Sequence, residues 1–281
     1  MKLRRLFAAA GAFTLLGVLF AEPAHAATFI PAHIEEVEAS VSGAQLTHAS
    51  VTARCPAGMR VVSAGAGNAV LGQLSTTADG TGAVAEGFLV NPPLFIFAQA
   101  DCVPAADLAG VTTAISRFID NTGPVGAAAL YSATAACPTG TYAISGGGTI
   151  TNPAGTPTAG STVSYDGPAT DFPGWTFVGW AEKGDVLEVR AQCAPLPFAT
   201  NAVITQFAIP PGGTVSGRAN CPAGHVPLSG GALISDDGPN SSLSYSEAVR
   251  TVAPEVSGWF ARASVGVQTS GAVLFIVAEC L

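Results

Sequence analysis

The stretch that decides the fold is Cys137-Pro138-Thr139-Gly140-Thr141-Tyr142-Ala143-Ile144-Ser145-Gly146-Gly147-Gly148. Its frame returns as Cys55-Pro56-Ala57-Gly58 followed by Val62-Ser63-Ala64-Gly65-Ala66. It returns again as Cys221-Pro222-Ala223-Gly224 followed by Leu228-Ser229-Gly230-Gly231-Ala232. The leading cysteines lie 82 and 84 residues apart, and each copy is closed by one further cysteine, Cys102, Cys193 or Cys280. All six cysteines therefore belong to a threefold internal repeat, and a fixed period of this length outranks every local signal.

Proline fixes φ and glycine permits φ > 0, so Cys-Pro-x-Gly reads as a tight turn between two strands. Before each closing cysteine the apolar residues alternate: Ile96, Ala98, Ala100; Leu187, Val189, Ala191; Leu274, Ile276, Ala278. The neighbour of the cysteine is polar each time (Asp101, Gln192, Glu279). A period of two in phase with the cysteine predicts a half-buried strand whose disulfide lies on the core face. Copies two and three share a Ser-Tyr segment (Ser161 to Tyr165, Ser241 to Tyr245) and a Gly-Trp pair that opens another strand, Gly174-Trp175 and Gly258-Trp259. The first copy offers Gly87-Phe88 at the equivalent place. Four strands and a shorter fifth are expected per copy, with almost no helix.

The chain is thus read as all-β: three pseudo-equivalent antiparallel Greek-key repeats, over 27–110, 111–197 and 198–281, facing one another around a pseudo-threefold axis as in a β-prism. The alternative is three tandem small β-sandwiches. The intervals between copies carry Val111, Ile115, Phe118, Ile119, Val203, Ile204 and Phe207. Linkers between independent beads would be low in apolar content, so the compact form is favoured.

Met1-Lys2-Leu3-Arg4-Arg5, an apolar stretch to Phe20 and Ala24-His25-Ala26 make a secretory signal peptide over 1–26, cleaved after Ala26. Arg4-Arg5-Leu6-Phe7 also fits a twin-arginine signal, and Sec and Tat export are not separated. No later apolar stretch approaches twenty residues, so no membrane span is expected after removal of the signal. Export into an oxidising compartment makes the six cysteines disulfides. Zinc would want Cys-x-x-Cys or Cys/His pairs, which are absent, so neither a metal nor a cofactor is expected. Two pairings respect the repeat. Each copy closes on itself (Cys55–Cys102, Cys137–Cys193, Cys221–Cys280), or neighbours are stitched (Cys102–Cys137, Cys193–Cys221, Cys280–Cys55). The first gives every copy the same complete bond and is favoured.

The full chain has a net charge of −8, and without residues 1–26 it keeps 8 basic and 18 acidic residues, a net charge near −10. An acidic, charge-poor surface excludes nucleic acid as a partner and disfavours anionic membranes. The mature histidines, His33, His48 and His225, fall at no equivalent positions of the repeat, and Gly-x-Ser-x-Gly is absent around Ser63, Ser145 and Ser229. A nucleophile triad is therefore not expected. Glu182, Asp185 and Glu188, or Asp236-Asp237, are the acidic clusters that a glycoside hydrolase would need, though acids beside Gly184 or Gly238 equally make a solvated turn.

Trp175, Trp180 and Trp259 are the candidate ligand-binding residues, because sugar faces stack on exposed aromatic rings. The competing reading puts Trp175 and Trp259 in the core. Trp180 has no counterpart in the other copies. The expected function is non-catalytic: binding, or a place in a cell-surface matrix, with a cell-wall or extracellular glycan as partner and one shallow surface per copy. The alternatives are a secreted carbohydrate-active hydrolase and a protein inhibitor or effector.

Cys-Pro-x-Gly with Ser-Gly-Gly, a Gly-Trp strand and a closing cysteine, clearest in copies two and three, resembles secreted repeat proteins of high-GC Gram-positive bacteria. The resemblance spans nearly all of the mature chain and brings no activity with it. Copy one departs from the pattern at Ala64 and Phe88. The likeness to β-prism proteins, some of which bind glycans, is one of architecture alone.

Overall fold

The computed structural model describes residues 34–90, 92–119, 128–156, 158, 162–169, 173–195, 201–235, 241–250, 257–267 and 272–281. Residues 1–26, read from the sequence as a signal peptide, and Asp236-Asp237 lie outside them. The first repeat forms β1 (Glu35–Ser42), β2 (His48–Arg54), β3 (Met59–Gly67), β4 (Val70–Thr76), β5 (Gly82–Phe88) and β6 (Phe95–Pro104). The second forms β7 (Thr112–Ile119), β8 (Ala129–Ala136), β9 (Tyr142–Thr151), β10 (Thr162–Pro168), β11 (Gly174–Ala181) and β12 (Val186–Ala194). The third forms β13 (Asn201–Ile209), β14 (Thr214–Asn220), β15 (Pro227–Ser235), β16 (Ser242–Val249), β17 (Gly258–Ser264) and β18 (Ala272–Cys280). Among the described residues each repeat therefore has six strands, not four or five. The strand missed in the sequence is the lead-in (β1, β7, β13), which for β7 and β13 runs through the apolar intervals between copies.

The strands make three open six-stranded antiparallel sheets. Sheet I runs β1-β6-β3-β16-β17-β14, sheet II β2-β5-β4-β9-β12-β7 and sheet III β13-β18-β15-β10-β11-β8. Every repeat sends its first, third and sixth strands to one sheet and its second, fourth and fifth to another. The all-β, pseudo-threefold expectation holds, but no sheet belongs to a single repeat. Each is shared by two repeats, and each repeat is a two-layer sandwich. The halves join by short pairings: Gly67 and Ala66 with Tyr245 and Ser246, Gln73 and Leu74 with Thr149 and Gly148, Tyr165 and Asp166 with Leu233 and Ala232. The first of these closes the ring between the first and last repeats.

The disulfides are Cys55–Cys102, Cys137–Cys193 and Cys221–Cys280, so each repeat closes on itself. In each, one cysteine follows the second strand and the other lies in the sixth, so the bond ties the two layers of a sandwich. By restricting the unfolded chain each bond contributes on the order of 4 kcal/mol. The alternating residues predicted to face it, from Ile96 to Ala278, are all buried. The Cys-Pro-x-Gly turn also forms as read. Gly58, Gly140 and Gly224 have φ of 83°, 82° and 82°, and the amides of Met59, Thr141 and His225 donate to the carbonyls of Pro56, Pro138 and Pro222. That is type II turn geometry, which glycine alone adopts without strain.

Past the turn, the third strand carries a β-bulge at Val62, Ile144 and Leu228. The extra residue leaves the ladder. These three side chains, one per repeat, meet in a single buried cluster with Val103, Leu108 and Ala194, which places the pseudo-threefold axis.

The small residues after the bulge are set by what lies against them. A Cβ on Gly146 would fall 2.4 Å from the Trp175 ring, and one on Gly230 2.4 Å from the Trp259 ring. One on Gly148 would fall 2.1 Å from Phe177. Strand register corrects the equivalence assigned to the first repeat. Ala53 pairs with Ala83 as Ala135 pairs with Trp175 and Ala219 with Trp259. The counterpart of the Gly-Trp pair is therefore Gly82-Ala83, not Gly87-Phe88; Phe88 is instead the counterpart of Trp180, to which the sequence assigned none. With no indole to accommodate, the first repeat can carry Ala64 where the others need glycine. By the same register Leu74 stands where Asp166 and Ser246 accept the indole N–H bonds, at 2.5 Å and 3.0 Å. Glycine, tryptophan and a polar partner are thus exchanged as a set for Ala64, Ala83 and Leu74.

This coupling is measurable by urea denaturation. Gly146→Ala should destabilise the protein by about 1–3 kcal/mol through overpacking, and the same change in a Trp175→Ala background should cost clearly less, only the 2.5 Å approach to the Arg190 carbonyl remaining. Equal costs in the two backgrounds would refute the pairing.

Candidate functional site

Trp175 and Trp259 are 4 % and 1 % exposed, with their N–H groups satisfied inside the sandwiches, so neither ring is open to a ligand. Trp175 donates to Asp166, a carboxyl that burial raises well above the usual carboxylate range and that the indole N–H only partly offsets. Trp180 is half-buried on the face of sheet III turned away from the disulfides, and its N–H has no acceptor among the described residues.

The acidic candidates of the second repeat have structural partners. Glu188 accepts from Arg117 at 2.5 Å and from Arg190 at 2.5 Å. Although burial opposes ionisation most, these two guanidiniums prevail and hold its carboxyl below the usual range. Asp185 accepts from the Glu182 amide at 2.9 Å across the hairpin. His48 sits 3.9 Å from Glu86 and packs edge-on against Phe88, while the His225 ring Nδ1 lies 3.3 Å from the Ala223 carbonyl. Among the described residues no group of three His, Cys, Asp or Glu is placed to hold a metal ion.

The repeat places side chains of alternate parity on the outer face of each sheet, the face away from the disulfide. These faces differ in chemistry although their backbones are equivalent. Register aligns Glu86, Val178 and Arg262 as counterparts, and likewise Gln99, Arg190 and Val277. One equivalent shallow surface per copy is therefore not what the side chains build.

The face of sheet I gathers the most chemistry. Across one row of the sheet stand Phe97, Gly67, Tyr245 and Arg262. Gly67 has to be glycine because the Phe97 and Tyr245 rings close over it, 2.5 Å and 2.4 Å from where its Cβ would be. The Phe97 and Phe260 rings lie 5.7 Å and 6.0 Å from Tyr245, forming an aromatic platform across the junction of first and last repeats. The Tyr245 hydroxyl donates to the Asn68 side chain, itself held at φ 67°. Beside it opens a cavity of about 250 Å³, lined by Asn68, Thr214, Ser242, Ser244, Arg262 and Ser264 around Tyr245. Arg262 is exposed and makes no ion pair among the described residues.

The neighbouring row holds Glu38, Gln99 and Glu247, with Glu36, Asp101 and Arg250 next to it. Arg250 pairs with Asp101 and donates to the Pro227 carbonyl at 2.7 Å, linking the last repeat to the first. Burial, reinforced by Glu36, Glu38 and Asp101, pushes the Glu247 carboxyl up to about 7. Burial likewise raises Glu36.

Sequence reasoning missed this site because its members are far apart in the chain. The Ser-Tyr segment that holds Tyr245 is read in the sequence only as a mark of the repeat. No family model matches the chain, and no curated protein matches it.

A carboxyl raised from 4.5 to about 7 stabilises the fold below the unfolded value and loses that contribution as pH rises through 7. Glu247→Gln should therefore leave the unfolding free energy nearly unchanged at pH 4 and raise it at pH 8. The gain should be on the order of 1–2 kcal/mol after allowing for solvent screening. Chemical denaturation at the two pH values checks this, and equal shifts at both would refute it.

Proposed function

We propose that this is a secreted, disulfide-locked, non-catalytic protein that binds a cell-wall or extracellular glycan on the outer face of sheet I. Three disulfides belong to an oxidising environment, and the leader over 1–26 would deliver the chain to it. The observation that carries the reading is the cavity beside Tyr245, where an aromatic ring adjoins amide, hydroxyl and guanidinium groups in a space of about 250 Å³. A sugar offers an apolar face of C–H bonds and a rim of hydroxyls, and this lining meets both. Tyr245 supplies the stacking surface. Asn68, Ser242, Ser244 and Thr214 supply donors and acceptors, and Gly67 leaves room for the rings against the backbone.

One observation favours a second reading. A carboxyl held near neutrality beside other acids is the pattern of a general acid in glycoside hydrolysis. Glu247, with Glu36 and Glu38 on the same face, has that pattern. The two readings part on turnover.

Titration of the mature protein with cell-wall polysaccharide fragments, followed by calorimetry, tests the proposal. Tyr245→Ala and Asn68→Ala should each weaken binding by about tenfold, while Trp180→Ala on sheet III leaves it unchanged. Loss of binding in Trp180→Ala alone would move the site to sheet III. Release of reducing ends, abolished by Glu247→Gln, would replace binding by hydrolysis.

A further inference from the structure

The three sheets leave six edge strands, and an unpaired edge is a template for another strand unless something blunts it. On sheet I, β1 carries Glu35, Glu36 and Glu38, and β14 carries Arg218. On sheet II, β2 carries His48 and Arg54, and β7 carries Arg117. Both edges of sheet III, β8 and β13, have no charged residue. They differ in strand propensity. β8 is alanine-rich, whereas β13 reads Asn-Ala-Val-Ile-Thr-Gln-Phe-Ala-Ile over nine residues, without glycine or proline. β13 pairs along its whole length with β18, and among the described residues no strand takes its other side. Ile204 is 53 % exposed there.

We propose that β13 pairs with β13 of a second copy of this chain, antiparallel about a twofold axis through Thr205. Sheet III then continues from one molecule into the other. The choice of a second copy rests on charge and on register. Copies of a chain with net charge −8 repel one another, and they meet most cheaply along an edge that carries no charge, next to an outer face whose β18 side chains are Val273, Phe275, Val277 and Glu279. Side chains alternate between faces, so only an even register keeps both inner faces on one side. Centring on Thr205 satisfies this with full overlap. Val203 then stands opposite the partner's Phe207 on the disulfide side, and Ile204 opposite the partner's Gln206 on the outer side. A twofold pairing is closed and stops at the dimer.

The register makes the test specific. Sedimentation velocity of the mature protein over a concentration series should show a monomer–dimer equilibrium. Ile204→Glu with Gln206→Glu sets carboxylates opposite one another across the axis and should raise the dimer dissociation constant about a hundredfold. Ile204→Lys with Gln206→Glu sets unlike charges opposite one another and should restore it to within about tenfold of the original. Circular dichroism of these exposed edge variants should match the parent. A parent that stays monomeric at about 100 µM, a Glu/Glu variant that stays dimeric, or a Lys/Glu variant no better than Glu/Glu would each overturn the proposal. So would open-ended polymers, which a head-to-tail β13–β8 pairing would build.

Discussion

The structure depends on one steric constraint: at the second small position after the bulge, the third strand of each repeat must carry no side chain. A Cβ on Gly65 would fall 2.7 Å from that of Glu247, one on Gly147 2.1 Å from the Leu74 carbonyl oxygen, and one on Gly231 2.1 Å from that of Asp166. In each case the obstacle is the fourth strand of a different repeat. The bare backbone lets the two strands touch and bond, and that short pairing converts three separate sandwiches into a ring with shared sheets. The bulge three residues earlier turns Val62, Ile144 and Leu228 toward the axis, where they close the centre. The disulfides act at right angles to this, tying layer to layer inside each repeat.

Because the ring rests on backbone contacts and small residues, the side chains of the outer faces are free to diverge. Sheet I has become aromatic and charged, sheet II ion-paired through Glu188, and sheet III apolar with Trp180. Function is therefore sought in what breaks the symmetry. The junction of first and last repeats is the one that sequence adjacency does not join. It is also where Arg250 pairs with Asp101, Glu247 lies over Gly65 and the Tyr245 platform forms. A ligand held there would bridge the two ends of the chain and tighten the ring it binds.

What could be read from the sequence follows from which forces are local. The period, the strand into each closing cysteine and the Cys-Pro-x-Gly turn each rest on a few contiguous residues, and all three form as read. Pairing of Cys55 with Cys102 followed from the demand that copies be equivalent. The lead-in strands were not resolved, since Val203, Ile204 and Phe207 gave apolar content without clean alternation. Gly87-Phe88 reads as the tryptophan equivalent because it is a glycine followed by an aromatic residue. The decisive signal was Ala64, whose methyl group is compatible only with a small residue opposite, here Ala83. Sharing of sheets between repeats left no mark on local pattern at all. It arises from glycines whose neighbours lie about 65 to 180 residues away, and the Tyr245 face inherits that non-locality.

The claim that the repeats are welded into a single cooperative body, rather than strung as beads, is tested most directly by scanning calorimetry of the oxidised chain from Ala27 onward. A welded ring unfolds in one transition with a calorimetric to van't Hoff enthalpy ratio of about 1. Three resolved transitions, or a ratio approaching about 3, would contradict it.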